Sequence, residues 1–408
     1  MNPNSILPRG RLDSAQRDLT KLQRMVCIAM TGCIKTTPTA SLELLLGLFP
    51  LSMRIEAEAI ICMKRFKYLG HWKAFSDYLS WNNLNCEILE HPLLIMPCDG
   101  MPARYVFDKP YQVLVLSRID WSNVPIHIGK KCSVWYTDGS KMDKSTGAGV
   151  CCPDEHLRYS WSLGKFSTVF MAEVYAILMC CRICIDKGYR SKCIHICSDS
   201  QAALFALRRY IFTSHIVWEC YILLCQLAAS NIVTLYWVPG HSGIQGNEIA
   251  DELARNGSSI PFAGPEPAIG ISSSLIRNAV FDVFRKKQYL NWLNSKGQGQ
   301  AKELNQGCPN VRHKELLKLN RNGVRKVIGL LTGHCSLRRH LTIMGVKNDP
   351  TCRGCHNEEE TAVHILCECE AYSAYRFEHL GRHLLEPWEL HDIPVRCLLN
   401  FASATGLF

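Results

Sequence analysis

The 408 residues give room for two or three modules, and an apolar share of 47% with a charged share of 20% sets aside a disordered chain. No apolar run is long enough to span a bilayer and the amino terminus holds no hydrophobic core segment, so an intracellular protein, nuclear or cytoplasmic rather than secreted, is expected, with no membrane partner. The formal charge of +10 points toward polyanions, and the 22 cysteines, scattered through apolar stretches such as Met179-Cys180-Cys181, read as reduced, buried small hydrophobes.

In chain order, residues 14–70 are expected to be helical. Leu19, Leu22, Val26 and Met30 repeat at helical spacing, as do Leu42, Leu45 and Leu46 after the turn signal Thr36-Thr37-Pro38. Residues 85–130 are mixed, with short strands expected at 113–116 and 126–128. From about 131 the pattern changes: a strand at 133–137, the Gly-rich run Thr146-Gly147-Ala148-Gly149-Val150, a strand at 158–163 and a long apolar helix over 168–186. A strand at 193–197, helices after Asp199 and over 215–229, a strand at 233–238 and a helix over 247–256 complete a mixed sheet with helices on its faces, an α/β class. Prolines between Pro261 and Pro267 mark a linker. Beyond it residues 271–340 carry 14 Lys/Arg against 3 Asp/Glu, whereas residues 131–260 carry 12 against 11. The basic stretch is interleaved with Phe281, Phe284, Tyr289, Trp292, Leu316 and Leu317, which suits an amphipathic helical arm lying against nucleic acid.

Four acidic residues stand where a bare carboxylate is costly. Asp138 follows Val134-Trp135-Tyr136-Thr137 at a strand end, although an Asp before Gly also makes ordinary turns. Glu173 shares the stretch between Lys165 and Asp186 with only one other charge, Arg182, so it is neutral, paired or metal-bound. Asp199 ends the run Ile194-His195-Ile196-Cys197-Ser198 and is alternatively the N-cap of the next helix. Asp251 shares a helix with Glu248 and Glu252, and periodicity does not choose among the three. Gathered together, such groups repel and resist ionising unless cations neutralise them, which is the design of two-metal phosphodiester chemistry.

Thr137-Asp138-Gly139-Ser140, Ala172-Glu173, Ser198-Asp199-Ser200 and the run Trp237-Val238-Pro239-Gly240-His241-Ser242-Gly243-Ile244-Gln245-Gly246-Asn247-Glu248-Ile249-Ala250-Asp251 closely resemble the type 1 ribonuclease H domain, in the version carried by non-LTR retrotransposons. The resemblance covers about residues 131–257 and keeps the order and spacing of the motifs. It implies a ribonuclease H-like five-stranded mixed sheet with helices on both faces, and hydrolysis of the RNA strand of RNA–DNA hybrids. It further implies two Mg²⁺ (or Mn²⁺) ions on Asp138, Glu173, Asp199 and Asp251, with His241 as a loop histidine that shuttles a proton at product departure. Gly139, Ser140 and Asn247 are expected to contact the hybrid, whose 2′-hydroxyls line a wide minor groove. The basic helical handle of some cellular relatives is not evident, since Arg208 and Arg209 are the only Lys/Arg between Lys192 and Arg255; substrate grip is assigned to the arm 271–340.

Cys352, Cys355, His364 and Cys369 give C-x₂-C-x₈-H-x₄-C, a tetrahedral zinc set in which Cys367 is an alternative fourth ligand. Residues 351–370 resemble the zinc-binding tail downstream of reverse transcriptase in such elements, which favours Cys369; zinc removal is expected to unfold only 350–370. The first third resembles the stretch joining polymerase to ribonuclease H, and with no Asp-Asp dipeptide the catalytic pair of a reverse transcriptase is missing. The expected organisation is a connection remnant at 1–130, the ribonuclease H domain at 131–260, linker and basic arm at 261–340, the zinc module at 341–380 and a tail at 381–408, together the C-terminal portion of a polyprotein. The rival expectation is a decayed or adopted, inactive copy that only binds nucleic acid.

Overall fold

A computed structural model describes residues 13–70, 91–115, 132–142, 145–305 and 312–408. The described residues fall into two compact units, one within Ile61–Val280 and one within Met1–Ile60 together with Phe281–Phe408. Among the described residues no helix is long and apolar enough to cross a membrane.

The Ile61–Val280 unit holds strands β1 (Gly100–Tyr105), β2 (Gln112–Leu114), β3 (Cys132–Met142), β4 (Ser145–Cys152), β5 (Leu157–Ser162), β6 (Cys193–Ser198), β7 (Ile211–Ser214) and β8 (Ile232–Trp237). Its main helices are α1 (Val169–Asp186), α2 (Gln201–Arg208), α3 (His215–Ala228) and α4 (Gln245–Ser259). The main sheet runs β2-β8-β6-β3-β4-β5: β3, β6, β8 and β2 are parallel neighbours, and β4 and β5 add antiparallel. The five expected strands are present, and β2 extends the sheet to six as a short edge strand near the expected 113–116. The strand expected at 126–128 lies outside the described residues. β1 and β7 form a separate two-stranded antiparallel sheet that periodicity did not signal.

Strand alternation sorts the core. Trp135, Ile194, Ile196, Val233 and Leu235 face α1, α2 and α3 in one large cluster, while Val134, Cys197 and Val238 form a small cluster with Tyr136, Tyr236 and Ile244. Helix α4 packs over β3, β4 and β5. Helix α1 is apolar almost all round and accordingly buries ten residues. The Thr168 hydroxyl caps its start, accepting from the Met171 amide at 3.2 Å.

In the other unit, helices Asp13–Thr31 and Thr39–Leu45 share a core with helices Arg321–Thr332 and Val395–Ala404, through Cys27, Leu42, Leu45, Val327, Ile328, Leu398 and Phe401. The apolar residues between the charges of 271–340 are largely part of this unit's interior: Phe281, Phe284, Trp292 and Leu316 are buried, Tyr289 is half-buried, and Leu317 is exposed. Interleaving of aromatics with charge here reflects helix amphipathicity toward a core. Arg277, Arg285, Lys286, Lys296, Lys314, Lys318, Arg321 and Arg325 remain exposed, whereas Arg312 is buried, donating to Asn305 Oδ1.

Candidate active site

Asp138, Glu173, Asp199 and Asp251 come together from four elements around one cavity of about 210 Å³, lined also by Gly139, Ser140, His241, Asn247 and Glu248. Asp138 and Glu173 are 6% exposed, Asp199 and Asp251 half-buried. One carboxylate oxygen each of Asp138, Glu173 and Asp199 lie within 4.8 Å of one another. Such an all-oxygen donor set suits Mg²⁺ or Mn²⁺.

Local structure explains each position. Strand β3 does not end at Asp138, as its sequence context suggested, but runs on to Met142; Asp138 pairs with Gly149, one residue beyond the point where Thr137 pairs with Ser198 and β6 stops. Asp138 therefore stands at the lip of the parallel sheet. At Gly139 a Cβ would lie 2.5 Å from the Glu173 amide nitrogen, so only glycine lets β3 approach the turn of α1 that carries Glu173. The N-cap of α2 is Ser200, whose hydroxyl accepts from the Ala203 amide, which leaves the Asp199 carboxylate without a capping duty. Asp199 is instead held by its backbone carbonyl, which accepts from Trp237 Nε1 at 3.0 Å, and by Asn247 Nδ2, which donates to Asp199 Oδ2 at 3.4 Å. A Cβ at Gly240 would come 2.7 Å from Asp199 Oδ2, so this loop glycine keeps the carboxylate's space clear.

The electrostatics are those of crowded anions. Burial, then the charges of Asp199 and Asp251, pushes the Asp138 carboxyl up to about 7, against a smaller opposing effect of the Gly139 amide. Burial, then Asp138 and Asp199, raises Glu173 well above the carboxylate range, and its Oε2 is buried with no hydrogen-bond partner. A buried carboxylate oxygen without a donor fits a site completed by a cation. Asp251 is partly neutralised by Arg255 one turn on, at 2.9 Å. Glu248 reaches the same cavity while Glu252 does not line it, a distinction legible only once the face of α4 is known. His241 is exposed in the β8–α4 loop with φ +52, a left-handed backbone that non-glycine residues rarely adopt.

In the second unit the ligand atoms of Cys352, Cys355, His364 and Cys369 lie within 4.8 Å of one another, and Cys367 is not among them. Cys352 Sγ and Cys369 Sγ are 3.8 Å apart, and Cys355 Sγ and His364 Nε2 3.3 Å. Two thiolates ~2.3 Å from one tetrahedral ion would stand ~3.8 Å apart. Backbone amides of Glu358 and Asn357 hold the Cys355 thiol down at about 6.

Residues 130–259 match the family model for RNase H. A 46-residue stretch is 44% identical to the "Retrovirus-related Pol polyprotein from type-1 retrotransposable element R1 3" of Nasonia vitripennis; the match spans 11% of this chain and 12% of that polyprotein. The six-stranded mixed sheet, the motifs at its edge and the family match identify residues 130–259 as an RNase H domain, in a chain that is also similar over a short stretch to a retrotransposon Pol polyprotein.

Proposed function

We propose that this domain hydrolyses the RNA strand of RNA–DNA hybrids, leaving 5′-phosphate and 3′-hydroxyl ends, with Asp138, Glu173, Asp199 and Asp251 as the metal-holding carboxylates. The observation that carries this reading is the convergence of these four groups, from β3, α1, the end of β6 and α4, on one cavity where Glu173 Oε2 lacks any partner. Two bound Mg²⁺ (or Mn²⁺) ions would neutralise the cluster and supply Lewis acidity toward the attacking water and the leaving oxygen. The protein's own part is positional: Gly139 seats Glu173 beside Asp138, Asn247 orients Asp199, and Arg255 steadies Asp251. Ser140 and the Gly139 backbone, on the cavity rim, are suited to contact 2′-hydroxyls in the minor groove. Purified protein incubated with labelled hybrid, duplex RNA and duplex DNA, with Mg²⁺, Mn²⁺ or chelator, tests the reading: cleavage of RNA in the hybrid alone, and only with cation, is expected. Equal cutting of all three duplexes would overturn it.

His241 is assigned the proton transfer at product departure, from an exposed loop at the cavity edge. His241→Ala is expected to slow turnover on the order of a hundredfold, the lower end of what a positioned acid–base group contributes, while leaving measurable cleavage. We further assign a structural Zn²⁺ to Cys352, Cys355, His364 and Cys369, and nucleic-acid grip to the exposed cations of 271–340. Replacing Lys318, Arg321 and Arg325 together by Gln is expected to weaken hybrid binding and flatten its salt dependence, by up to about 0.9 in the log–log slope for each phosphate no longer neutralised, the value for B-form DNA. An unchanged slope in a fluorescence-anisotropy titration would assign the grip elsewhere.

A further inference from the structure

A second soft-ligand cluster lies in the RNase H unit, on no element of the carboxylate cavity except the far ends of β3 and β6. Cys132 opens β3 and Cys193 opens β6, and the parallel register sets them directly opposite each other. His195, two residues along β6, falls on the same face by strand alternation. The ligand atoms of the three lie within 4.8 Å of one another, and Cys193 Sγ is 3.1 Å from His195 Nε2. The imidazole is buried at 8% exposure, and its ring meets Tyr236 of β8 edge-on, with centroids 4.9 Å apart. The two thiols are half-buried, so an ion from solvent can reach them. The neighbouring edge is open as well, with Ile232 of β8, the register partner of Cys193, 71% exposed.

We propose that Cys132, Cys193 and His195 form a zinc site with three protein ligands and a fourth, outward position left to water or another small donor. Two thiolates and an imidazole are a borderline-soft set that selects Zn²⁺ over Mg²⁺, the reverse of the all-oxygen cavity. Tetrahedral zinc places sulfur and nitrogen ligands ~3.5 Å apart and two sulfurs ~3.8 Å apart, so closure on an ion requires small side-chain adjustments at half-exposed cysteines. Six residues of strand separate Cys132 from Asp138, about 20 Å at strand rise, so this ion is distinct from those of the hydrolytic site. Its structural effect is to tie the two central strands at the end away from the carboxylates. The competing chemistry is a Cys132–Cys193 disulfide, which adjacent strands permit and which would leave His195 without a role.

The test uses the full chain, reduced, stripped with a chelator, and reloaded with Zn²⁺ in excess Mg²⁺. Elemental analysis is expected to find two zinc ions per chain, falling to one in Cys132→Ser/Cys193→Ser and to one in Cys352→Ser/Cys355→Ser. Peptide-resolved alkylation of the wild-type chain is expected to find Cys132 and Cys193 protected when zinc is present. That readout needs no variant, and it decides the matter if Cys132→Ser/Cys193→Ser fails to fold by circular dichroism. Alkylation of Cys132 and Cys193 indifferent to zinc, a single zinc lost with Cys352 and Cys355, or a Cys132–Cys193 disulfide recovered from the unreduced chain would each overturn the proposal.

Discussion

Asp138→Asn is expected to reduce hybrid cleavage more than about a hundredfold while leaving the domain folded. Removing a residue that merely hydrogen-bonds to a metal ligand already costs about 10–100-fold, and Asp138 is proposed as a ligand itself. The fold should survive because Asn keeps the shape and removes one of several crowded charges. The sign of the stability change follows from the raised carboxyl. With Asp138 near 7 when folded and 3.8 as its ordinary value, the folded domain holds more protons than the unfolded chain between those pH values. This contribution to the stability of the cation-free domain is therefore fully present below about pH 4 and is lost as pH rises through 7. Wild type without Mg²⁺ should melt lower at pH 8 than at pH 5, Asp138→Asn should show a flatter profile, and Mg²⁺ should restore wild type more than the variant. Thermal melts at the two pH values, with and without Mg²⁺, measure this. A variant that cuts hybrid at the wild-type rate would remove Asp138 from the site.

Chelation of zinc is expected to unfold more than residues 350–370, contrary to what the short Cys/His segment suggests by itself. Cys352 and Cys369 are at most 1% exposed and belong to the same core as Leu330, Ile365, Leu366, Leu398 and Phe401. Structural zinc is worth roughly 10–16 kcal/mol in small zinc-binding peptides, as much as the roughly 5–15 kcal/mol that stabilises a whole domain. Loss of the ion should therefore raise hydrogen exchange in helices Arg321–Thr332 and Val395–Ala404 together with the quartet, and His364→Ala should act in the same direction. Exchange confined to 350–370 would mean that the surrounding core stands without the metal.

The carboxylate site was legible in sequence because each acid sits in a short, specific context, and because an apolar helix tolerates a lone Glu173 only where a proton, a partner or a metal neutralises it. Its finer structure was not. Nothing local says that β3 continues past Asp138, since that depends on β4 pairing beyond the end of β6. That Glu248 rather than Glu252 accompanies Asp251 depends on which face α4 turns to the sheet. Strands β1, β2 and β7 escaped or were only glimpsed because they are three to six residues long and their partners are remote in sequence. The trio of Cys132, Cys193 and His195 is likewise invisible in one dimension, because strand register, across some sixty positions, makes them neighbours. Charge content located the basic segment but could not tell that Phe284 and Trp292 are interior.

The core that joins residues 27–45 to residues 304–407 has a consequence in time. During synthesis, Cys27, Leu42 and Leu45 emerge some 260 residues before Leu304 and well before Phe401. At about 5–20 residues per second that is a wait on the order of 10–50 s. For that interval the leading helices have no permanent partner for their apolar faces, whereas the RNase H unit, built from residues between them, has every strand of its sheet in hand. Translation thus favours an RNase H unit that is finished first and a unit of split origin that closes last.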